Sequence, residues 1–201
     1  MSKQILLILK ACEFAADKHR NQRRKDHART PYINHPLAVA RVLADEGGVK
    51  DAEILAAAIL HDTLEDTQTT LEELRKAFGR RVASLVAEVT DDKTLPKQVR
   101  KQRQIDHGPS KSQGAALIKV ADKICNLRDL AQSPPTHWTV ERKGKYIEWA
   151  REVVRALPIP RHRMRRVFER AYASTNSVGL PTSSSTSVKR RTSSRRGISN
   201  G

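Results

Sequence analysis

What most constrains this chain is a set of apolar runs with helical spacing, each broken by charged residues where a packed helix has no use for them. Residues 52–60 read AEILAAAIL and continue into HDTLEDT. The run is Ala, Ile and Leu without a breaker, as in a buried helix. His61-Asp62 follows directly, and Glu65-Asp66 comes one turn later. Burying such groups costs several kcal/mol each unless they are paired or bound to metal, so they either surface into solvent or line a site.

The helical pattern extends over nearly the whole sequence. ILLILKACEFAADKHR (5–20) keeps apolar residues at helical spacing and leads into NQRRKDHARTPYINHP, a basic stretch punctuated by Pro31 and Pro36 that reads as a loop. PLAVARVLADEGG starts with Pro36 at a helix N-terminus and stops at Gly47-Gly48. DAEILAAAILHDTLED (51–66) reads as one helix with Asp51 as N-cap. Thr70 to Glu73 form a capping box for LEELRKAFG, closed by Gly79. RRVASLVAEV is a further short helix, and TDDKTLP is a turn. AALIKVADKICNLRDLA (115–131) is a buried helix ended by Pro134-Pro135, and VERKGKYIEWAREVVRAL (140–157) is amphipathic. No alternating β-branched run competes, so the expected fold is all-α, a bundle of roughly seven to nine helices of ordinary length.

Charge is unevenly spread. The chain of 201 residues has a formal net charge of +16, but the part from Arg161 onward holds 10 Lys/Arg and one Glu, leaving +7 for residues 1–160. The body is moderately basic, which suits an anionic ligand. Residues 158–173 read as a basic helical extension. From Ser174 the composition turns to Ser, Thr, Arg and Gly, with too few apolar groups to offset ordering entropy, and a disordered tail is expected over 174–201. The favoured reading of this tail is an extension without function; no nucleic-acid partner is expected beyond nonspecific, salt-dependent attraction by the tail, and no obligate protein partner is implied. Cys12 and Cys125 show no CxxC spacing, which fits a reducing cytosol. ILLIL is too short for a signal peptide or a membrane span. The expectation is a cytoplasmic protein without a membrane segment.

Four residues stand out as metal ligands: His35 in YINHP, His61 and Asp62 in ILHDT, and Asp122 in IKVADKICNL. Two imidazoles and two carboxylates suit Mn²⁺, Fe²⁺, Co²⁺ or Zn²⁺ rather than a structural thiolate zinc site. Taken singly each has a plainer role: His35 could cap the next helix, and Asp122 could pair with Lys119, Lys123 or Arg128. Glu65 and Asp66 lie four residues beyond His61 and Asp62, on the same helix face. Carboxylates beside a metal but not needed as ligands are what metal-assisted hydrolysis requires.

The order H…HD…D on successive helices resembles the HD superfamily of metal-dependent phosphohydrolases. RRKDHARTPYINHPLAVARVLAD, AAAILHDTLEDTQTTLEEL, FGRRVASLVAEVTDDKTLP and IKVADKICNLRDL are similar to the hydrolase domain of RelA/SpoT-type alarmone enzymes. The likeness covers residues 5 to 157 and is strongest to the stand-alone small hydrolases, which include a metazoan SpoT-like form. It implies an HD-domain fold over 1–157, Mn²⁺ held by His35, His61, Asp62 and Asp122, and a catalytic acidic pair at Glu65 and Asp66. The implied reaction is hydrolysis of the 3′-pyrophosphate of ppGpp and pppGpp to GDP or GTP and pyrophosphate. Metazoan-type relatives also remove the 2′-phosphate of NADPH, and motifs at the metal do not separate the two. A basic nucleic-acid-binding protein with a vestigial centre is the reading outside enzymes, and the intact six residues speak against it. On the substrate side the resemblance points to Arg24 and Lys25 near the purine and to Tyr32 and Asn126 lining the nucleotide pocket. Lys93, Lys97, Arg142 and Tyr146 are the candidates for phosphate contacts, where Arg and Lys match by charge and donor geometry. Trp138 and Trp149 read as core or rim.

Overall fold

The computed structural model describes residues 2–159 and 162–179. Among these are nine α-helices of eight or more residues and no named strand; the one β-bridge pairs Arg23 with Pro31. The longest helix, α8 (Gln113–Gln132), has an apolar run that leaves little of its circumference to solvent. Ala115, Ala116, Ile118, Val120, Ala121, Ile124 and Leu127 are all fully buried. A helix buried on nearly every side, its few charged residues included, sits at the centre of a bundle. The others arrange themselves around it: α2 (Asn34–Arg41), α3 (Ala52–Leu60), α6 (Arg80–Val89), α9 (Val140–Ala156) and α10 (Arg163–Gly179) all contact α8. Helix α1 (Lys3–Lys18) instead packs on α3, whose Ala56, Ala57 and Ala58 are fully buried. Small side chains there let neighbouring backbones approach.

Several local expectations are met atom by atom. Asp51 caps α3, its Oδ1 accepting from the Glu53 amide at 2.9 Å. Thr70 accepts from the Glu73 amide at 3.1 Å and starts α5 (Leu71–Phe78). The capping box is half made, because the Glu73 carboxylate reaches Lys18 at 2.8 Å instead. Gly79, at φ 87°, separates α5 from α6.

Four segments differ from the sequence reading. The helix expected over 51–66 is interrupted after Leu60. Thr63 Oγ1 donates to the Leu60 carbonyl at 2.7 Å and His61 Nδ1 meets the Ala58 carbonyl at 2.8 Å, so side chains take acceptors that the helix would use. Asp62 sits at φ −97°, ψ −6°, and a single turn, α4 (Thr63–Asp66), follows. The helix at Pro36 begins two residues earlier, at Asn34, with Pro36 in the first turn where its missing N–H costs nothing. It continues as a π-helical stretch, Val42–Glu46, before Gly47. The polar α7 (Lys97–Asp106) was not foreseen; Gln104 is its single buried residue. Finally, the disorder expected from Ser174 is corrected for residues 174–179, which are the last part of α10. This helix is held by apolar packing beneath its basic surface. Met164, Val167, Phe168 and Ala171 join the common core, and Thr175 Oγ1 donates to the Leu127 carbonyl at 3.1 Å. The rest of the expected tail, residues 180–201, lies outside the described residues.

Candidate metal centre and the cavities beside it

Three buried elements bring the sequence-singled ligands together. His35 comes from the first turn of α2, His61 and Asp62 from the break after α3, and Asp122 from the middle of α8. Donor atoms of His35, His61 and Asp62 all lie within 4.8 Å of one another. Asp122 Oδ1 is 3.1 Å from His35 Nε2 and 4.0 Å from His61 Nε2. The break at His61 is what allows this, since it turns Asp62 back toward the imidazole, with Oδ2 3.1 Å from His61 Nε2.

The donors fit a divalent cation. The His61 contact with the Ala58 carbonyl requires the proton on Nδ1 and leaves the Nε2 lone pair facing the other three residues. That Nε2 is buried and, despite its closeness to Asp62, has no hydrogen-bond partner. Electrostatics point the same way. Burial disfavours the imidazolium of His61, yet Asp62 and Asp122 outweigh it and raise its pKa to about 9. Burial likewise opposes ionisation of Asp62 and Asp122, but His61 acts on the first and Lys123 and His35 on the second, and both stay below the usual carboxylate range. A pocket that favours positive charge and offers two nitrogens and two carboxylates suits a borderline metal ion.

Three of the four ligands are held from behind: His61 by the Ala58 carbonyl and the two carboxylates by side chains, while His35 Nδ1 is buried without a partner. Tyr32 donates its hydroxyl to Asp62 Oδ2 at 2.6 Å. Asp122 accepts from Asn126 Nδ2 at 2.6 Å and from Lys123 Nζ at 2.9 Å. Of the three alternative cations for Asp122, only Lys123 pairs with it. Lys119 faces Asp91 at 3.7 Å, and Arg128 makes a two-pronged pair with Glu46 at 2.6 and 2.8 Å.

The acidic pair stands one turn beyond Asp62, as the Asp66 amide bond to the Asp62 carbonyl at 2.8 Å records. Glu65 Oε2 accepts from the Asp91 amide at 3.1 Å, and Oε1 is 3.9 Å from Arg100. Burial, with the negative charges of Asp91 and Asp62, raises the Glu65 pKa. Asp66 is held by Gln22 at 3.1 Å and by an ion pair with Lys93.

Two cavities of about 510 Å³ share Trp138 and Tyr146 as a wall; the second is lined by Asp91 and Arg100, the neighbours of Glu65, and by none of the ligands. The first includes His35 and Asp66 in its lining and holds Arg24, Lys25, Tyr32, Asn126 and Tyr146. The hairpin-like loop before α2 shapes it: Arg24 N–H bonds to the Thr30 carbonyl at 2.9 Å and Tyr32 N–H to that of Gln22 at 3.1 Å. Arg24 pairs with Asp129 and lies 5.7 Å from the Tyr32 ring centroid. Lys97 and Arg142 are in the second cavity, with Arg100, Lys101 and Lys145. Arg142 lies over Trp138 at 4.5 Å, while Lys101 and Lys123 approach the Trp149 ring at 4.6 and 4.7 Å. Both tryptophans are half-buried, at the rim of the core. Lys93 is apart from these, on Asp66.

Sequence reasoning missed Gln22, Asp91 and Asp129, and offered Lys123 only as one of three possible partners for Asp122. Lys123 carried one signal, a lysine next to Asp122 within an apolar helix. The others are partners created by elements distant in sequence.

A family profile described as HD domain matches residues 11–150. A relative from Xenopus tropicalis, named guanosine-3′,5′-bis(diphosphate) 3′-pyrophosphohydrolase MESH1, is 56% identical over 157 residues, covering 78% of this chain and 88% of its own. The Homo sapiens protein of the same name is 54% identical over the same length and shares. A solved structure described as a metazoan orthologue of SpoT that hydrolyses ppGpp superposes with a TM-score of 0.81 at 43% identity, covering 86% of this chain and 96% of that one. With the family profile spanning most of the helical body and its histidines and aspartates gathered at one buried point, the chain belongs to the HD-domain family.

Proposed function

We propose that this protein hydrolyses the 3′-pyrophosphate of ppGpp and pppGpp, releasing pyrophosphate and GDP or GTP, with Mn²⁺ as its metal. The observation that carries the reading is the convergence of His35, His61, Asp62 and Asp122, with Glu65 and Asp66 one turn away, a cavity lined by His35 and Asp66, and a second, basic cavity sharing its wall. The names of the relatives supply the substrate.

His35, His61, Asp62 and Asp122 would hold the ion. A divalent ion held by these four residues would supply Lewis acidity, lowering the pKa of a water and offsetting charge on the phosphate. Glu65 accepts a proton from the attacking water; its raised pKa makes it a stronger base than a free carboxylate, and the Asp91 amide fixes its direction. Asp66, restrained by Lys93 and Gln22, orients the water. The first cavity takes the nucleoside, with Arg24 and Lys25 beside the purine and Tyr32, Asn126 and Tyr146 lining the rest. Lys97 and Arg142 in the second cavity, and Lys93 when released from Asp66, hold phosphate oxygens. The activity belongs in the cytoplasm, in keeping with two free cysteines and with no described helix long and apolar enough to cross a membrane.

The test is turnover of ppGpp and NADPH side by side, with Mn²⁺ added or chelated. The expected outcome is Mn²⁺-dependent pyrophosphate release from ppGpp. Silence on ppGpp with phosphate released from NADPH would overturn the substrate assignment while keeping the metal chemistry.

A further inference from the structure

A second cationic surface lies away from this centre. The helix that begins with His35 in its first turn ends at Glu46, eleven residues on, roughly 16 Å away at the usual rise. There Glu46, Arg163, Arg166, Val167 and Arg170 enclose a cleft of about 490 Å³. None of its residues lines the cavities beside the metal centre.

The cleft is built by backbone as well as by charge. A Cβ at Gly47 would stand 2.4 Å from the Leu43 carbonyl oxygen and 2.8 Å from Met164 Sδ, so glycine lets α10 close against this end. Gly48, at φ 68°, leaves room for the Arg163 guanidinium, whose Nη1 would be 2.9 Å from a Cβ there. Arg163, Arg166 and Arg170 follow at i, i+3 and i+7, on one face of α10. All three are exposed, and among the described residues none forms an ion pair; Glu169, the sole acid of the helix, pairs with none of them. The one carboxylate in the cleft wall, Glu46, is already taken on both oxygens by Arg128. Glu46 also feels Arg41 and Arg170, which lower its pKa after the larger effect of the Arg128 bond. The face therefore keeps an excess of positive charge that nothing in the described fold balances.

We infer that the Arg163–Arg166–Arg170 face of α10 binds the phosphate backbone of nucleic acid. Three features select this ligand. Arg163 and Arg170 stand seven residues, about 10 Å, apart along the helix, so the cleft is lined lengthwise, which suits an extended polyanion better than a single phosphate. The sequence beyond the helix, residues 180–201, adds five Lys/Arg and no acid, so the same sign of charge continues along the chain. The apolar side of α10 is spent on the core through Met164, Val167, Phe168 and Ala171, and none of the exposed large apolar side chains among the described residues lies on this helix, so it offers little to a lipid surface. No aromatic ring lines the cleft, so bases are not stacked and binding is independent of sequence and steeply salt-dependent.

The experiment is fluorescence anisotropy with a labelled oligouridylate of about 30 nucleotides and full-length protein, between roughly 50 and 200 mM salt. Arg163→Gln/Arg166→Gln/Arg170→Gln is compared with wild type and with a chain carrying Gln at Lys189, Arg190, Arg191, Arg195 and Arg196. The triple variant is expected to flatten the log–log salt slope by about 2–3, each lost phosphate contact being worth roughly 0.7–0.9. It should keep wild-type ppGpp turnover. Arg166→Glu, a single exposed change that the fold tolerates, should flatten the slope by about 1 or more. An unchanged slope in both α10 variants, with all binding lost in the tail variant, would overturn the inference. So would binding to phosphatidylserine vesicles with none to the oligonucleotide.

Discussion

Tyr32→Phe removes one oxygen and tests how the metal centre is held. The Tyr32 hydroxyl donates to Asp62 Oδ2 at 2.6 Å, and its ring sits between His19, at 4.9 Å, and His35, at 6.0 Å between centroids. Burial and the Asp62 charge both raise the phenol pKa, so the proton stays on the hydroxyl and the bond has one direction. A hydrogen bond to a charged group contributes about 1.5–3 kcal/mol. Since 1.4 kcal/mol is a factor of about ten, the bond corresponds to roughly ten- to hundredfold or slightly more in an equilibrium. Independently, losing a partner behind a metal ligand typically costs about 10–100-fold in metal affinity or activity. Phenylalanine keeps the ring contacts, so the loss falls on Asp62. The assay is Mn²⁺ titration by calorimetry, with activity against Mn²⁺ concentration alongside. Weaker Mn²⁺ binding by about an order of magnitude is expected. Unchanged Mn²⁺ affinity with a rise confined to the KM for nucleotide would refute the reasoning and make Tyr32 a substrate contact alone.

Three further outcomes follow from the same geometry. Phe168→Ala, at a fully buried position of α10, should cost about 3–5 kcal/mol. At roughly 2–4 °C per kcal/mol this lowers Tm by about 6–20 °C, and a shift under a few degrees would mean that α10 is peripheral. Gly79→Ala meets no atom within 4 Å, but φ 87°, ψ 167° is a region open to little but glycine; denaturant unfolding should show a loss of about 1–3 kcal/mol from backbone strain alone. The Glu65 pKa is raised above its ordinary 4.5. A base works only when deprotonated, so the acid limb of the kcat profile should lie above 4.5, and Glu65→Gln should abolish that limb with most of the turnover.

Much of this architecture can be read from sequence where apolar pattern and local chemistry agree. Helices α3 and α8 are dense in Ala, Ile and Leu, and Asp51, Thr70 and Gly79 mark ends that depend on neighbours a few residues away. Reading failed where a local pattern was overruled. Nothing in DAEILAAAILHDTLED announces that His61 and Thr63 side chains will take helix carbonyls, yet that break aims Asp62 at the metal position. Helix α7 buries little besides Gln104, so it has no apolar stripe to reveal it. A helix was expected over 158–173, but its arginines conceal the core-facing stripe of Met164, Val167, Phe168 and Ala171, whose i, i+3, i+4, i+7 spacing was the available signal. At the site, the His and Asp intrusions were visible because charge in an apolar helix is costly. Gln22 on Asp66 and Asp129 on Arg24 were not, because each contact is made between elements distant in sequence.

The most direct test is the metal content of purified wild-type, Asp122→Ala and Glu65→Gln proteins after Mn²⁺ loading and desalting. One Mn²⁺ per chain is expected in wild type and in Glu65→Gln, and none in Asp122→Ala. Full Mn²⁺ occupancy in Asp122→Ala, or its loss in Glu65→Gln, would contradict the assignment of ligands and acidic pair.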